Sequence, residues 1–367
     1  MTDDKFIKNE EKAVRLLRSL YSKYGYLPYK MNKFEEYDLY VRNKDFLVSD
    51  RVITFNDTDG SLMALKPDVT LSIIKNGDDT AGVKQKVCYN EHVYRVSDST
   101  GRFREIMQTG LERIGDIDAY DIYEVISLAA QSLSMISDSY MLEVSHLGVI
   151  SSLIDEACDD PRFAAEALSF IAEKNRHDLK KLCTKYGLSA ENTDKVLSLV
   201  TVYGNRRKVI DTLRPLCREK AKAALDELEL ISSLLDSDGI SDRVIFDFSV
   251  INDKNYYNGV VFRGFLDGIC DGVLSGGQYD SLMKKMGRTS GAAGFALYLD
   301  KLEQLRRPNE GYDVDILLLY DKDTDKQALA SAVKSIVAAG NSVSAQKSIP
   351  EKLRYREITD IRGGSTC

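Results

Sequence analysis

Apolar residues recur at helical spacing at the start of the chain, where Phe6, Ala13, Leu16, Leu17 and Leu20 share a face and Gly25 follows as a stop. That spacing predicts an amphipathic opening helix. The pattern then turns to alternation. Residues 51–55 and 61–65 flank Asn56-Asp57-Thr58-Asp59-Gly60, which suits a hairpin turn, and 87–96 and 105–114 flank a second loop, Ser97-Asp98-Ser99-Thr100-Gly101. Residues 120–136 carry Ile122, Val125, Ile126, Ala129 and Leu133 on one helical face, and 140–146 reads as a strand. From 151 to 236 the pattern is almost wholly helical, rich in Leu, Ala, Lys and Glu, with breaks at Asp159-Asp160-Pro161, Gly187 and Gly204. This predicts a helical block, about 151–240, inserted into a sheet. Strands resume at 243–250, 260–266 and 271–274, the last two joined by Asp267-Gly268, and helices are expected at 281–286 and 295–305. Arg306-Arg307-Pro308-Asn309-Glu310-Gly311 reads as a linker to a β-α-β pattern at 314–320, 325–339 and 342–346. The expected architecture is α+β, with a core over 1–306 and a small α/β domain over 312–367.

Composition narrows the function. A 43% apolar content over 367 residues supports a conventional core, and a net charge of −7 gives no overall field for a polyphosphate backbone, so nucleic acid is not an expected partner. Six cysteines, Cys88, Cys158, Cys183, Cys217, Cys270 and Cys367, lack C-x-x-C spacing, and the start Met-Thr-Asp-Asp-Lys is no signal segment. A reducing cytoplasm is the expected setting. Apolar runs such as 316–319 fall far short of the roughly 20 residues that span a bilayer. His92, His146 and His177 fit no metal spacing, and no Walker-type phosphate loop is present, so neither metal nor cofactor is expected.

Five segments in order carry chemistry. Leu65-Lys66-Pro67-Asp68-Val69-Thr70 resembles the L-R-P-E-G-T segment of histidyl-tRNA synthetases. Tyr94-Arg95, with Gly101-Arg102-Phe103-Arg104-Glu105 and Gln108 to Glu112, resembles their class II motif 2. Asn255-Tyr256-Tyr257 resembles the end of R-G-L-D-Y-Y, Gly277-Gln278-Tyr279-Asp280 resembles G-R-Y-D, and Gly294-Phe295-Ala296-Leu297-Tyr298-Leu299-Asp300-Lys301-Leu302 resembles motif 3. The resemblance runs over roughly residues 10–305. It implies a class II synthetase-like antiparallel sheet flanked by helices.

The departures concern ATP. Asn252 stands where the family's signature opens with a catalytic Arg, Asn255 where it has an acid, and Lys301 where motif 3 has the Arg that holds the γ-phosphate. A lysine does not reproduce the planar fork of a guanidinium. Tyr298 replaces a glycine and is expected to fill space that an adenine would take. The motif 2 loop is one residue shorter, with Ser97 and Asp98 in place of Glu and Arg, and Asn32 replaces the proline of motif 1. A retained amino-acid pocket beside a lost ATP site resembles the family of ATP phosphoribosyltransferase regulatory subunits. That resemblance implies no catalysis by this chain alone, a short-form catalytic subunit as partner, a role in histidine biosynthesis and its feedback by histidine, and a homodimer formed around 25–35 within a larger hetero-oligomer. The stretch after Gly311 is expected to be too short for a synthetase's complete anticodon-binding domain. A synthetase with altered ATP contacts and an RNA-binding paralogue are the alternatives.

Bound L-histidine offers an ammonium, a carboxylate and an imidazole. The resemblance implies Asp68, Thr70, Gln108 and Glu112 for the ammonium, Arg95 for the carboxylate, and Tyr257 and Tyr279 for the ring. Gln108 and Glu112, four apart on a strand, share a face. Blander roles stand beside these: a cross-strand Arg95–Glu112 ion pair, Tyr256 and Tyr257 on opposite strand faces with Tyr256 towards the core, and Gly276-Gly277 as a turn. Arg206-Arg207-Lys208 and Lys180-Lys181 read as solvated helix faces.

Overall fold

The first apolar stripe folds as α1 (Asn9–Lys23), burying Ala13, Leu17, Leu20 and Tyr21. The computed structural model describes residues 9–47, 51–77, 80, 82–97, 100–251, 256–305 and 312–363; Phe6 and the linker expected at 306–311 lie outside them. The chain divides into two compact units, Met1–Gln304 and Leu305–Cys367.

In the first unit, β1 (Leu27–Pro28), β2 (Phe34–Glu36) and α2 (Tyr37–Arg42) precede the expected hairpin of β3 (Thr54–Asn56) and β4 (Leu62–Leu65). Gly60 closes its turn at φ +87°, donating its amide to the Asp57 carbonyl at 3.0 Å, a conformation that L side chains resist. A small sheet β2-β4-β3 results. After α3 (Thr70–Asn76) come the long strands β5 (Gln85–Val96) and β6 (Phe103–Gly115), paired antiparallel from Gln85 opposite Ile114 to Val96 opposite Phe103. Next is α4 (Ala119–Ser134), opened by a capping box of Asp118 and Asp121 that satisfies amides at its N-terminus. It buries Ile122, Val125, Ile126, Ala129 and Leu133, as the spacing predicts.

β7 (Tyr140–His146) leads into α5 (Leu147–Ala157), α6 (Pro161–Ala172), α7 (Arg176–Lys185), α8 (Ala190–Thr201), β8 (Tyr203–Gly204), α9 (Arg206–Leu213) and α10 (Glu219–Ser237). The insertion is therefore not wholly helical. β8 leaves it to pair with β9 (Val244–Asp247). Arg206 is not solvated either: it is 4% exposed and donates to Ser232 Oγ at 3.0 Å, the Val244 carbonyl at 2.7 Å and Asp236 Oδ1 at 2.5 Å. Arg207 does stay on the surface, as do Lys180 and Lys181.

β10 (Val260–Leu266), β11 (Leu274–Gln278), α11 (Asp280–Lys285) and β12 (Gly291–Tyr298) complete a nine-stranded sheet of order β1-β5-β6-β12-β11-β10-β7-β9-β8. Two expectations fail here. The strand expected at 271–274 begins at Leu274, so Gly276 and Gly277 lie inside a central strand rather than in a turn. The helix expected at 295–305 is instead β12 followed by a 3-10 helix, Leu299–Gln304. Small and apolar residues such as Gly-Phe-Ala-Leu carry no strand alternation when both faces are covered, and β12 sits between β6 and β11. Helices α1 and α4 back the sheet, with Leu133 against Gly264.

The second unit has β13 (Val314–Leu319), α12 (Lys326–Ala338) and β14 (Val343–Gln346), with β13 and β14 parallel. A strand that the pattern did not predict, β15 (Tyr355–Asp360), pairs parallel on the other side of β13.

Candidate amino-acid pocket

Gln108, Gly110 and Glu112 alternate along β6 and so point from the same face of the sheet. Strand pairing extends their rows sideways. Glu112 lies opposite Gly294 and then Gly277, Gly110 opposite Ala296 and then Ser275, and Gln108 opposite Tyr298. Most of this floor is Gly, Ala or Ser, which leaves space above it. The glycines are sterically required: a β-carbon on Gly294 would overlap the Glu112 carboxylate, and one on Gly277 would come within 2.7 Å of the Tyr257 ring. Above the floor is a cavity of about 370 Å³, a size that suits a small molecule.

Its walls come from distant parts of the chain. Asp68 and Thr70 stand at the start of α3, Arg95 on β5, Tyr256 and Tyr257 ahead of β10, and Tyr279 between β11 and α11. All seven residues implied for ligand contact, Asp68, Thr70, Arg95, Gln108, Glu112, Tyr257 and Tyr279, line this one cavity. Glu112 is 2% exposed and accepts from Tyr279 Oη at 2.6 Å and Thr70 Oγ1 at 2.9 Å. Asp68 accepts from the Leu71 amide at 2.9 Å, with the Arg95 guanidinium 3.5 Å away. Arg95 also donates from Nε to the Pro67 carbonyl at 2.6 Å. The Gln108 amide nitrogen is buried without a hydrogen-bond partner among the described residues, an open donor on the cavity wall.

Burial dominates the electrostatics. It pushes the Glu112 carboxyl up to about 8, against the hydrogen bonds from Tyr279 and Thr70 and with a smaller upward push from Asp68. Burial raises Asp68 as well, while Arg95 pulls it back. The phenols of Tyr89, Tyr256 and Tyr279 are pushed well above their ordinary range and stay protonated donors.

The cross-strand ion pair does not form. Register puts Arg95 opposite Arg104 and Glu112 opposite Val87, and Arg95 turns to Asp68 instead. Nor do the two tyrosines sit on opposite strand faces. They precede β10, their ring centroids are 4.8 Å apart, and Tyr256 lines the cavity while also packing 5.7 Å from Tyr279 and 6.4 Å from Phe46. Tyr89, Phe46, Arg263 and Ser275 are wall residues that the motifs did not mark. Tyr89 was recoverable from register, since pairing Val96 with Phe103 puts it opposite Gly110. Ser275 was hidden because the strand expected at 271–274 runs instead from Leu274 to Gln278, whereas Arg263 lies in the strand expected at 260–266 but in no motif.

On the side expected for ATP, Tyr298 and Lys301 line the cavity too. Lys301 Nζ donates to the Gly272 carbonyl at 2.8 Å and lies 5.3 Å from the Tyr298 ring centroid, so its ammonium is engaged within the protein. Asp98, Asn252 and Asn255 lie outside the described residues. No group of three or more metal-ligating side chains occurs among the described residues, and no helix there is long and apolar enough to cross a membrane. His146 is structural: its Nδ1 accepts from the Gly148 amide at 3.0 Å, capping α5.

A family model described as histidyl-tRNA synthetase matches residues 3–302. The ATP phosphoribosyltransferase regulatory subunit of Clostridium kluyveri is 26% identical over 340 residues, which is 89% of this chain and 86% of that protein. A solved ATP phosphoribosyltransferase regulatory subunit/histidyl-tRNA synthetase from Bacillus halodurans C matches with a TM-score of 0.77, over 99% of this chain and 100% of that one, at 23% identity. An ATP phosphoribosyl transferase (HisG:HisZ) complex from Thermotoga maritima matches with a TM-score of 0.63, over 80% of this chain and 98% of that one, at 19% identity. These two structural likenesses carry the class II synthetase-like α+β fold.

Proposed function

The chain belongs to the histidyl-tRNA synthetase family, and from that premise we propose that it is the non-catalytic regulatory subunit of an ATP phosphoribosyltransferase, acting beside a separate catalytic subunit in histidine biosynthesis. Relatives similar over most of their length bear that name. The observation that supports the reading is the contrast within one cavity: Asp68, Arg95, Gln108 and Glu112, the residues that the resemblance implies for an amino acid, line it together, while Tyr298 and an internally bonded Lys301 stand at the positions that the resemblance implies for ATP. In this reading free L-histidine occupies the pocket. Its ammonium goes to Glu112, Asp68, Thr70 and the side-chain oxygen of Gln108, its carboxylate to Arg95, and its ring lies between Tyr257 and Tyr279. Arg95 must then share its guanidinium between Asp68 and the ligand, which its five donors allow. The setting is cytoplasmic, with the short-form catalytic subunit as partner and a homodimer of this chain inside the complex.

The test is to mix the purified chain with a short-form catalytic subunit and measure phosphoribosyl transfer for each alone and together, with and without histidine. Activity that needs both proteins and responds to histidine is the expected result. Pyrophosphate exchange dependent on histidine and ATP in the pure chain would instead make it a synthetase.

A further inference from the structure

Among the described residues two carboxyl groups line the cavity, and they are treated differently. Asp68 has the Arg95 guanidinium at 3.5 Å. Glu112 has two neutral hydroxyls, Tyr279 at 2.6 Å and Thr70 at 2.9 Å, and no lysine, arginine or histidine pairs with it among the described residues. The groups that act on it are neutral or acidic: Asp68 and Thr70 from the start of α3, Tyr89 from β5, Tyr256 and Tyr257 from ahead of β10, Tyr279 from ahead of α11, and the backbone of Gly294 from β12. Arg95, Arg263 and Lys301 line the same cavity, but Arg95 turns to Asp68 and Lys301 to the Gly272 carbonyl. An ionised carboxylate at 2% exposure with no cation is costly.

We propose that Glu112 holds a proton while the pocket is empty and releases it to solvent when a ligand ammonium enters, so that histidine uptake expels a proton. This rests on the histidine reading above and deepens it. The hydroxyls permit both states, because each can accept from a carboxylic acid or donate to a carboxylate without moving. The carboxyl O–H bond breaks, the proton passes to buffer, and the carboxylate accepts from the arriving ammonium, so the charge gained by the site is balanced within it. Burial acts in the same direction, holding the group protonated up to about pH 8. The pocket thereby selects for a cationic amine, and histidine affinity is linked to pH.

Calorimetric titration of L-histidine into the full chain at pH 7.0, in phosphate and in Tris, reads the proton directly. The difference in heat between buffers of unlike ionisation enthalpy is expected to correspond to about one proton released per histidine. The Glu112→Gln variant, which keeps shape without a titrating group, is expected to bind more weakly and to show no buffer dependence. Equal heats in both buffers for the wild type would overturn the proposal and leave the histidine reading standing. Release that persists in Glu112→Gln would overturn the assignment to this residue. Absence of any wild-type binding heat or shift in thermal stability with histidine would overturn both. The wild-type buffer pair decides even if the variant does not fold.

Discussion

At the scale of single residues, Glu112 concentrates the cost of the site and, in the proposed histidine reading, its binding chemistry. Removing its carboxyl in Glu112→Ala leaves a ligand ammonium without its buried acceptor, at about 1.5 to 3 kcal/mol, or roughly 10- to 150-fold in histidine affinity by calorimetry. Tyr256→Phe keeps the ring packing against Phe46 and Tyr279 and is expected to change affinity far less. The same carboxyl sets a pH dependence of stability. Its folded value of about 8 lies above the ordinary 4.5, so its contribution is fully present below about pH 4.5 and is lost as the pH rises towards 8. Relative to wild type, Glu112→Gln is therefore expected to gain stability with pH across that window, by up to about 1.4 kcal/mol per unit, as read from paired urea melts at pH 5 and pH 8.5. The pocket residues were legible because each lies in a short ordered motif. Their bonds to one another were not, since the Thr70–Glu112–Tyr279 chain joins residues up to 167 positions apart.

Among the elements, those with strong local periodicity were readable and those shaped by distant partners were not. The stripe of α4 and the β5–β6 hairpin follow from spacing and turn chemistry within one window. β12 does not, because its small residues answer to strands on both sides and to the Glu112 carboxylate above Gly294. Arg206 is a similar case. The run Arg206-Arg207-Lys208 has the look of a wetted surface, yet the first arginine ties α9 to Ser232 and Asp236 of α10 and to the Val244 carbonyl of β9. Arg206→Ala strands the buried Ser232 hydroxyl and Val244 carbonyl, while the part-exposed Asp236 keeps Arg207, and is expected to lower stability by about 2 to 3 kcal/mol in thermal or urea melts, with Arg207→Ala close to neutral.

For the whole molecule, the proposed assembly predicts masses above either component when the chain and its catalytic partner are mixed, measured by light scattering at micromolar concentration; two unmixed peaks would count against it. The chain alone is expected as a dimer, and segment 25–35 offers Leu27, 68% exposed, and Phe34, 42% exposed, as apolar contact surface. A last consequence follows from the two residues of β8. Tyr203 and Gly204 come from inside the insertion, yet they occupy the outer rim of the nine-stranded sheet, covering β9. The helical block thus acts as an edge guard. Excising it and bridging the gap with a short linker would bare a row of open amides and carbonyls on β9, a template for strand addition by other chains. A chain shortened in this way is expected to elute as polydisperse aggregates under conditions where the intact chain stays discrete.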